Sequence, residues 1–263
     1  MAVVQNGLLY SADPADSTVG DLFVVVNEDR DVEVAGSAGP DIVEVSNYRE
    51  AASGYTIRTA AGADQVNLQA GGTNDLVLDS SFINTNAGDD TLTFDSLLGS
   101  TVYAGAGIDR VLPSGNFFGT ALVSTLVRLN DGDDFFNRTA AGASALANID
   151  RSTINGNQGV DNLWFTDGYL INNVIHGGAD QDIIDITIGT DDVFRGNTIN
   201  GNRANDTIRV NAAENAAANN ISNNTVFGGQ GTDDIDATAS TGNLFLSGDR
   251  GNDTVRGGAG DDT

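Results

Sequence analysis

Apolar side chains return along this chain at two fixed distances from a recurring aspartate. Seven residues before the aspartate an aliphatic residue always stands: Val34, Ile57, Ile83, Val102, Val127, Ile154, Ile175, Ile199, Val226 and Leu246. Two residues after it the side chain is again apolar: Val43, Val66, Leu92, Val111, Phe136, Leu163, Ile184, Ile208, Ile235 and Val255. The aspartates themselves are Asp41, Asp64, Asp90, Asp109, Asp134, Asp161, Asp182, Asp206, Asp233 and Asp253, 19 to 27 residues apart. Glycine stands two residues before the aspartate in eight of the ten cases, with Asp180 and Ala204 as the exceptions. All twenty framing positions are apolar in a chain that is only 40% hydrophobic, so the chain is a repeat.

Self-similarity at this period predicts a solenoid, in which each unit buries its apolar face against its neighbours. The alternation on both sides of the glycine turn is that of half-buried strands. The unit reads as strand, turn, strand and a connection of variable length: Asp134 to Asp161 spans 27 residues, Asp90 to Asp109 only 19. Parallel connections are right-handed in almost all cases. The expected fold is all-β: a right-handed parallel β-helix of about ten coils with glycine–aspartate turns along one edge. At a strand spacing of roughly 4.8 Å the coils make a rod on the order of 50 Å long. Ala140 to Ala147 is the one stretch that suits a short helix. Asn173, Asn197 and Asn224 form a second column, four residues before the first turn glycine. They read either as an amide ladder along the axis or as turn formers that tolerate left-handed backbone.

Stacking places the ten aspartates in a column about 5 Å apart, where like charges disfavour one another. Asp89, Asp133, Asp180, Asp234 and Asp261 add a second acid to several turns. A hard dication with six to eight oxygen ligands relieves that repulsion and also uses the turn carbonyls. The bland alternative is a column of turn aspartates held by hydrogen bonds to backbone amides. The formal net charge is −25, with 12 arginines, no lysine and no cysteine. Such a surface argues against nucleic acid and anionic membranes and for cations, and no apolar run reaches the length of a membrane span.

Toward the C-terminus the turns sharpen into Gly228 to Asp233, Gly248 to Arg256 and Gly257 to Thr263, the last two starting nine residues apart. They resemble the glycine-rich nonapeptide GGxGxDxUx of the RTX, or haemolysin-type calcium-binding, family. The resemblance is close over residues 228–263 and looser over 36–227, where the motif comes once per long coil. It implies a β-helix grading into an RTX β-roll, with Ca2+ held between stacked turns by carbonyls and by Asp41, Asp64, Asp90, Asp109, Asp134, Asp161, Asp182, Asp206, Asp233, Asp253 and Asp262. It also implies an extracellular or cell-surface protein exported without an N-terminal signal peptide, and residues 1–20 have neither the basic start nor the apolar core of one. Residues 1–33 precede the first full motif and are expected to cap the solenoid (residues 34–263) or to dock on another subunit. The chain stops inside a motif, which suggests further repeats or completion by a neighbouring copy.

Catalytic residues should break the repeat, and few residues do. His176 is the single histidine and stands where other coils have Asn155, Asn200 and Ser247. Asp150–Arg151, Asp191–Asp192 with Arg195, and the aromatics Trp164, Phe165 and Tyr169 are the remaining candidates for a carbohydrate site. Surface ion pairing and core filling explain them more simply. The expectation is a non-enzyme: a calcium-stabilised structural repeat of a surface layer, matrix filament or adhesin that self-associates end to end or in a lattice. Contact with acidic glycans or a cell surface through calcium is part of that expectation. A polysaccharide-acting module and a viral fibre or decoration protein are the rivals.

Overall fold

Short alternating strands joined by tight turns can bury one face each only by stacking coil on coil. The computed structural model describes residues 9–11, 23–26, 31–45, 51–69, 76–113, 120–139, 142–143, 148–166, 168–213 and 220–263. Among them there is no helix, and three parallel sheets form the solenoid. The first has eleven strands, from Leu9–Ser11 and Glu33–Ala35 to Asn224–Gly231 and Leu244–Gly251. The second, also of eleven, runs from Phe23–Val26 and Ile42–Val45 to Asp234–Asp236 and Thr254–Arg256. The third has eight, from Ala51–Ser53 to Ile221–Ser222. A coil passes from the first sheet through the glycine–aspartate turn to the second, then to the third. Eight coils carry all three strands, close to the ten expected.

Both apolar columns lie in register. Val34 pairs with Ile57, Ile57 with Ile83, and so on to Leu246. Val43 begins the same succession in the second sheet, ending at Val255. All are buried except Leu246, which is partly buried, and Val255, which is exposed on the last coil.

A third column escapes the sequence reading: Ala52, Leu78, Leu97, Leu122, Ile149, Leu170, Phe194 and Ile221, each twelve residues before the aspartate and paired in register. What varies is the link between the second and third strands. Asp95 alone separates Phe94 from Ser96, whereas residues 137–147 separate Phe136 from Asn148. The expected short helix at Ala140 to Ala147 falls mostly outside the described residues. Its described pair, Gly142–Ala143, is a strand antiparallel to Arg138–Thr139. The segment expected to cap the fold is likewise described only in part. Leu9–Ser11 and Phe23–Val26 pair in parallel with Glu33–Ala35 and Ile42–Val45, extending the stack.

Candidate calcium site

The turn that leads from the first sheet to the second needs backbone that most side chains avoid. Ahead of Asp161, Asn157 (φ 80°) and Gly159 (φ 110°) are both left-handed. A Cβ on Gly159 would meet the Gly132 carbonyl oxygen at 2.0 Å, so only glycine fits that backbone. The two coils that depart from glycine at this place take a tighter left-handed conformation, Asp180 at φ 78° and Ala204 at φ 72°.

The turn swings each aspartate inward. Asp41, Asp64, Asp90, Asp109, Asp134, Asp161, Asp182, Asp206 and Asp233 are all at most 1% exposed. One carboxylate oxygen has a fixed partner in the coil before. Asp64 Oδ1 accepts the Asp41 N–H at 2.7 Å, and the pattern repeats at 2.7–2.9 Å through Asp90, Asp109, Asp134, Asp161, Asp182, Asp206 and Asp233 to Asp253. The other oxygen has none. Oδ2 of Asp64, Asp90, Asp109, Asp134, Asp161, Asp182, Asp206 and Asp233 is buried without a hydrogen-bond partner. Burial, with the neighbouring aspartates adding, pushes these carboxyls up: Asp64 to about 6, Asp134 and Asp206 to about 7, Asp109 and Asp182 to about 8, and Asp161 to about 9. Burial raises Asp90 and Asp233 as well.

The corner between the third and first sheets shows what a purely structural ladder looks like. There the Tyr55 N–H bonds to Ser81 Oγ, and the succession continues through Ser100, Thr125, Ser152, Asn173 and Asn197 to Asn224. Each of these side chains also donates. Ser152 Oγ gives its proton to the Asp150 carbonyl at 3.0 Å, and Asn173, Asn197 and Asn224 give Nδ2–H to the carbonyls of Ile149, Leu170 and Phe194 at 2.7–2.8 Å. The asparagines bond along the axis, and the hydroxyls upstream continue their column. This corner closes its hydrogen-bond account; the aspartate corner leaves eight buried oxygens open.

Those oxygens face other oxygens. Where a Cβ would stand on Gly156, Asp161 Oδ2 lies 2.1 Å and the Gly177 carbonyl 2.3 Å away. At Gly201 the pair is Asp206 Oδ2 at 2.2 Å and the Gly228 carbonyl at 2.6 Å, and Gly177 and Gly228 show the same pairing with Asp182 and Asp233. A carboxylate and a carbonyl converging with no donor between them suit a hard cation, whose preferred ligands are these two kinds of oxygen. The two oxygens can approach this closely because glycine, with no Cβ, stands five residues before the aspartate. In the coils of Asp64, Asp90, Asp109 and Asp134 that position holds Thr59, Thr85, Ala104 and Leu129, all buried, and it is filled.

Three of the eleven expected ligands differ from the rest: Asp253 is only partly buried, and Asp41 and Asp262 have their second oxygen bonded. Asp41 Oδ2 accepts the Ser37 N–H at 2.8 Å, and Asp262 Oδ2 accepts the Gly258 N–H at 2.7 Å. Asp262 also stands at the other corner, where its Oδ1 accepts the Leu244 N–H in line with the asparagine ladder. Turns nine residues apart therefore fall on opposite edges. The second acids do not join the column. Asp89, Asp133 and Asp180 accept the N–H groups of Ile108, Val160 and Gly159 on the outside. No group of three acidic or histidine side chains converges among the described residues, so backbone carbonyls must complete any ion's shell.

The remaining candidates disperse. His176 lies in register with Asn155 and Asn200 on the outer face of the first sheet, and burial lowers its basicity. Asp150 and Arg151 form an exposed ion pair at 2.8 Å. Phe165 is in the core with its ring 5.4 Å from that of Phe136, whereas Tyr169 is exposed on a different sheet.

The family model described as RTX calcium-binding nonapeptide repeat (4 copies) matches residues 194–214, 220–244 and 238–263. No curated protein and no solved structure matches the chain. No helix among the described residues is long and apolar enough to cross a membrane. RTX repeats bind Ca2+ in their turns, and the matched residues hold the glycine–aspartate turns of Asp206, Asp233 and Asp253. The C-terminal coils of this parallel β-solenoid thus match RTX calcium-binding repeats, which makes the chain a calcium-binding repeat protein over residues 194–263.

Proposed function

We propose that this chain is an extracellular structural repeat whose stacking is switched on by calcium. The observation that carries the reading is the row of buried Oδ2 atoms without partners, set beside the fully bonded ladder of the opposite corner. In this reading Asp161, Asp182, Asp206, Asp233 and Asp253 hold the ions, assisted by the carbonyls of the glycines five residues before the aspartate of the adjoining coil. Bound calcium supplies positive charge that lets these acids ionise inside the fold. In the coils of Asp64 to Asp134, where a side chain occupies that position, no ion is expected, and burial raises these carboxyls toward their protonated form, furthest for Asp109.

Metal binding to a site absent from the unfolded chain is folding free energy. Where calcium is scarce the column resists stacking, and outside the cell it closes. Parallel sheets that accept one coil on another also accept a coil of a second copy, which supports end-to-end or lattice assembly in a surface layer, filament or adhesin. No catalytic role is proposed.

The test is a melt followed by circular dichroism in calcium and in chelator, with the bound ions counted. Expected is a transition that calcium moves upward, about five ions rather than ten, and one fewer in Gly201→Ala, whose Cβ would lie 2.2 Å from Asp206 Oδ2. Equal transitions with and without calcium would overturn the reading. Light scattering that finds only monomers in concentrated calcium-loaded protein would count against assembly.

A further inference from the structure

The outer face of the first sheet carries a groove that the calcium reading does not use. Its volume is about 700 Å³, and it crosses five successive coils, from that of Asp161 to that of Asp253. The cause lies in the residues three and four before each aspartate. Asn157 with Gln158, Asn202 with Arg203, and Asp249 with Arg250 stand up from the surface, while Gly178 with Ala179, and Gly229, leave notches between them.

Two arginines and one aspartate line the groove in a chain of net charge −25. Arg203, Gln230 and Arg250 are consecutive in register along the axis, which puts the two guanidiniums two coils apart. Neither arginine has an ion-pair partner among the described residues. Three other arginines are engaged: Arg256 with Asp234 at 2.6 Å, and Arg128 and Arg110 over the rings of Tyr103 and Phe135. Of the acids, Asp249 borders the groove and accepts the Ser247 hydroxyl at 2.5 Å. Gln158 has its amide N–H on Asp131 at 2.7 Å, which turns its oxygen outward as an acceptor.

We infer that this groove binds an extended acidic polysaccharide lying along the solenoid axis. The wall rises by one coil, roughly 4.8 Å, at each step, about the advance of one sugar in an extended, equatorially linked chain. Amides then meet hydroxyls once per sugar, and the two guanidiniums meet carboxylates on every second sugar with the fork geometry that suits them. A nucleic acid would bring a charge on every unit, more than two arginines two coils apart can meet, whereas the acidic polysaccharide brings one on every second unit.

The experiment is titration of calcium-saturated protein with a hyaluronan octasaccharide, whose uronate recurs at every second sugar, beside a neutral N-acetylglucosamine oligomer. Wild type is expected to bind the acidic chain with an affinity that falls as salt rises, and to prefer it over the neutral one. The double variant R203Q/R250Q should bind at least tenfold more weakly, since charge-assisted hydrogen bonds are among the stronger ones, with its melting in calcium unchanged. No binding of hyaluronan at millimolar concentration, equal binding by the double variant, or equal affinity for the neutral oligomer would overturn the proposal. Because calcium counting is unaffected by these substitutions, failure here is distinguishable from failure of the calcium reading.

Discussion

Replacing Asp161 by asparagine changes one buried atom and should move stability in opposite directions with and without calcium. Oδ1 remains to accept the Asp134 N–H at 2.9 Å. The unpartnered Oδ2 becomes an NH2 group beside the Gly177 carbonyl, a permanent donor where the acid offers one only when protonated. Burial, with the charges of Asp182 and Asp134, raises the Asp161 carboxyl from 3.8 to about 9. A raised carboxyl favours the fold fully below its unfolded value, and that contribution is lost as pH rises through the folded value. At pH 7 the acid is still protonated in the fold but ionised in the unfolded chain, about three pH units above 3.8. At about 1.4 kcal/mol per unit, burying it costs up to ~4 kcal/mol. The uncharged amide escapes that cost. For a chain of this size 1 kcal/mol moves the melting temperature by about 2–4 °C, so Asp161→Asn should melt on the order of 10 °C higher in chelator. In calcium the variant has lost a ligand and should melt below wild type with one ion fewer. Circular dichroism melts of both proteins at pH 7, in chelator and in calcium, decide the matter. A variant destabilised equally in both would mean that the carboxylate acts only as a hydrogen-bond acceptor.

The raised carboxyls of Asp64, Asp109, Asp134, Asp161, Asp182 and Asp206 together predict that the metal-free protein is most stable near pH 4 and loses stability steadily up to about pH 9. Calcium should reverse that slope and release protons on binding, seen as a buffer-dependent heat in calorimetry; a metal-free melting temperature that climbs from pH 4 to pH 8 would contradict it. At the neutral corner, Asn197→Leu removes the acceptor of the Asn173 N–H at 3.0 Å and Nδ2–H at 3.1 Å, and the donor to the Leu170 carbonyl at 2.8 Å. It should cost about 3 kcal/mol or more by the desolvation of groups left unpaired, equally in calcium and chelator, with the ion count unchanged; a calcium-dependent loss would place an ion at this corner too.

The two sheets that flank the aspartate were legible because Val34 and Val43 begin columns that never turn polar, and a strand slipped by one residue would expose all of them. The third sheet was harder to see. Its inward residues include Ala52 as well as Phe194, and the links of variable length before it hide the constant distance to the following aspartate. The amide ladder was read from Asn173, Asn197 and Asn224 alone, because Ser81, Ser100, Thr125 and Ser152 perform the same bonding with shorter side chains. At the candidate site the aspartates were visible but the close approach of the second oxygen to a carbonyl was not. It depends on which atom lies opposite Oδ2, and only the stacked coordinates show that Gly156 leaves room where Leu129 does not.

That difference gives the solenoid a direction. Each aspartate carboxylate accepts the backbone N–H of the coil before it, so a coil already in place offers its N-terminal neighbour a preformed acceptor. Apart from the first coil, where Gly36 stands before Asp41, the coils with glycine five residues before the aspartate lie toward the C-terminus, from Gly156 to Gly248, and those with a larger residue there lie between, from Thr59 to Leu129. In a solenoid each coil is stabilised by its own packing and by its nearest neighbours. If calcium binds as proposed, an ion that fixes the downstream carboxylates also orders the acceptors on which the upstream coils build. The filled gaps follow from the same logic. Thr85 and Leu129 bury side chains at the position where the downstream coils have glycine, so the upstream coils gain packing there that needs no ion.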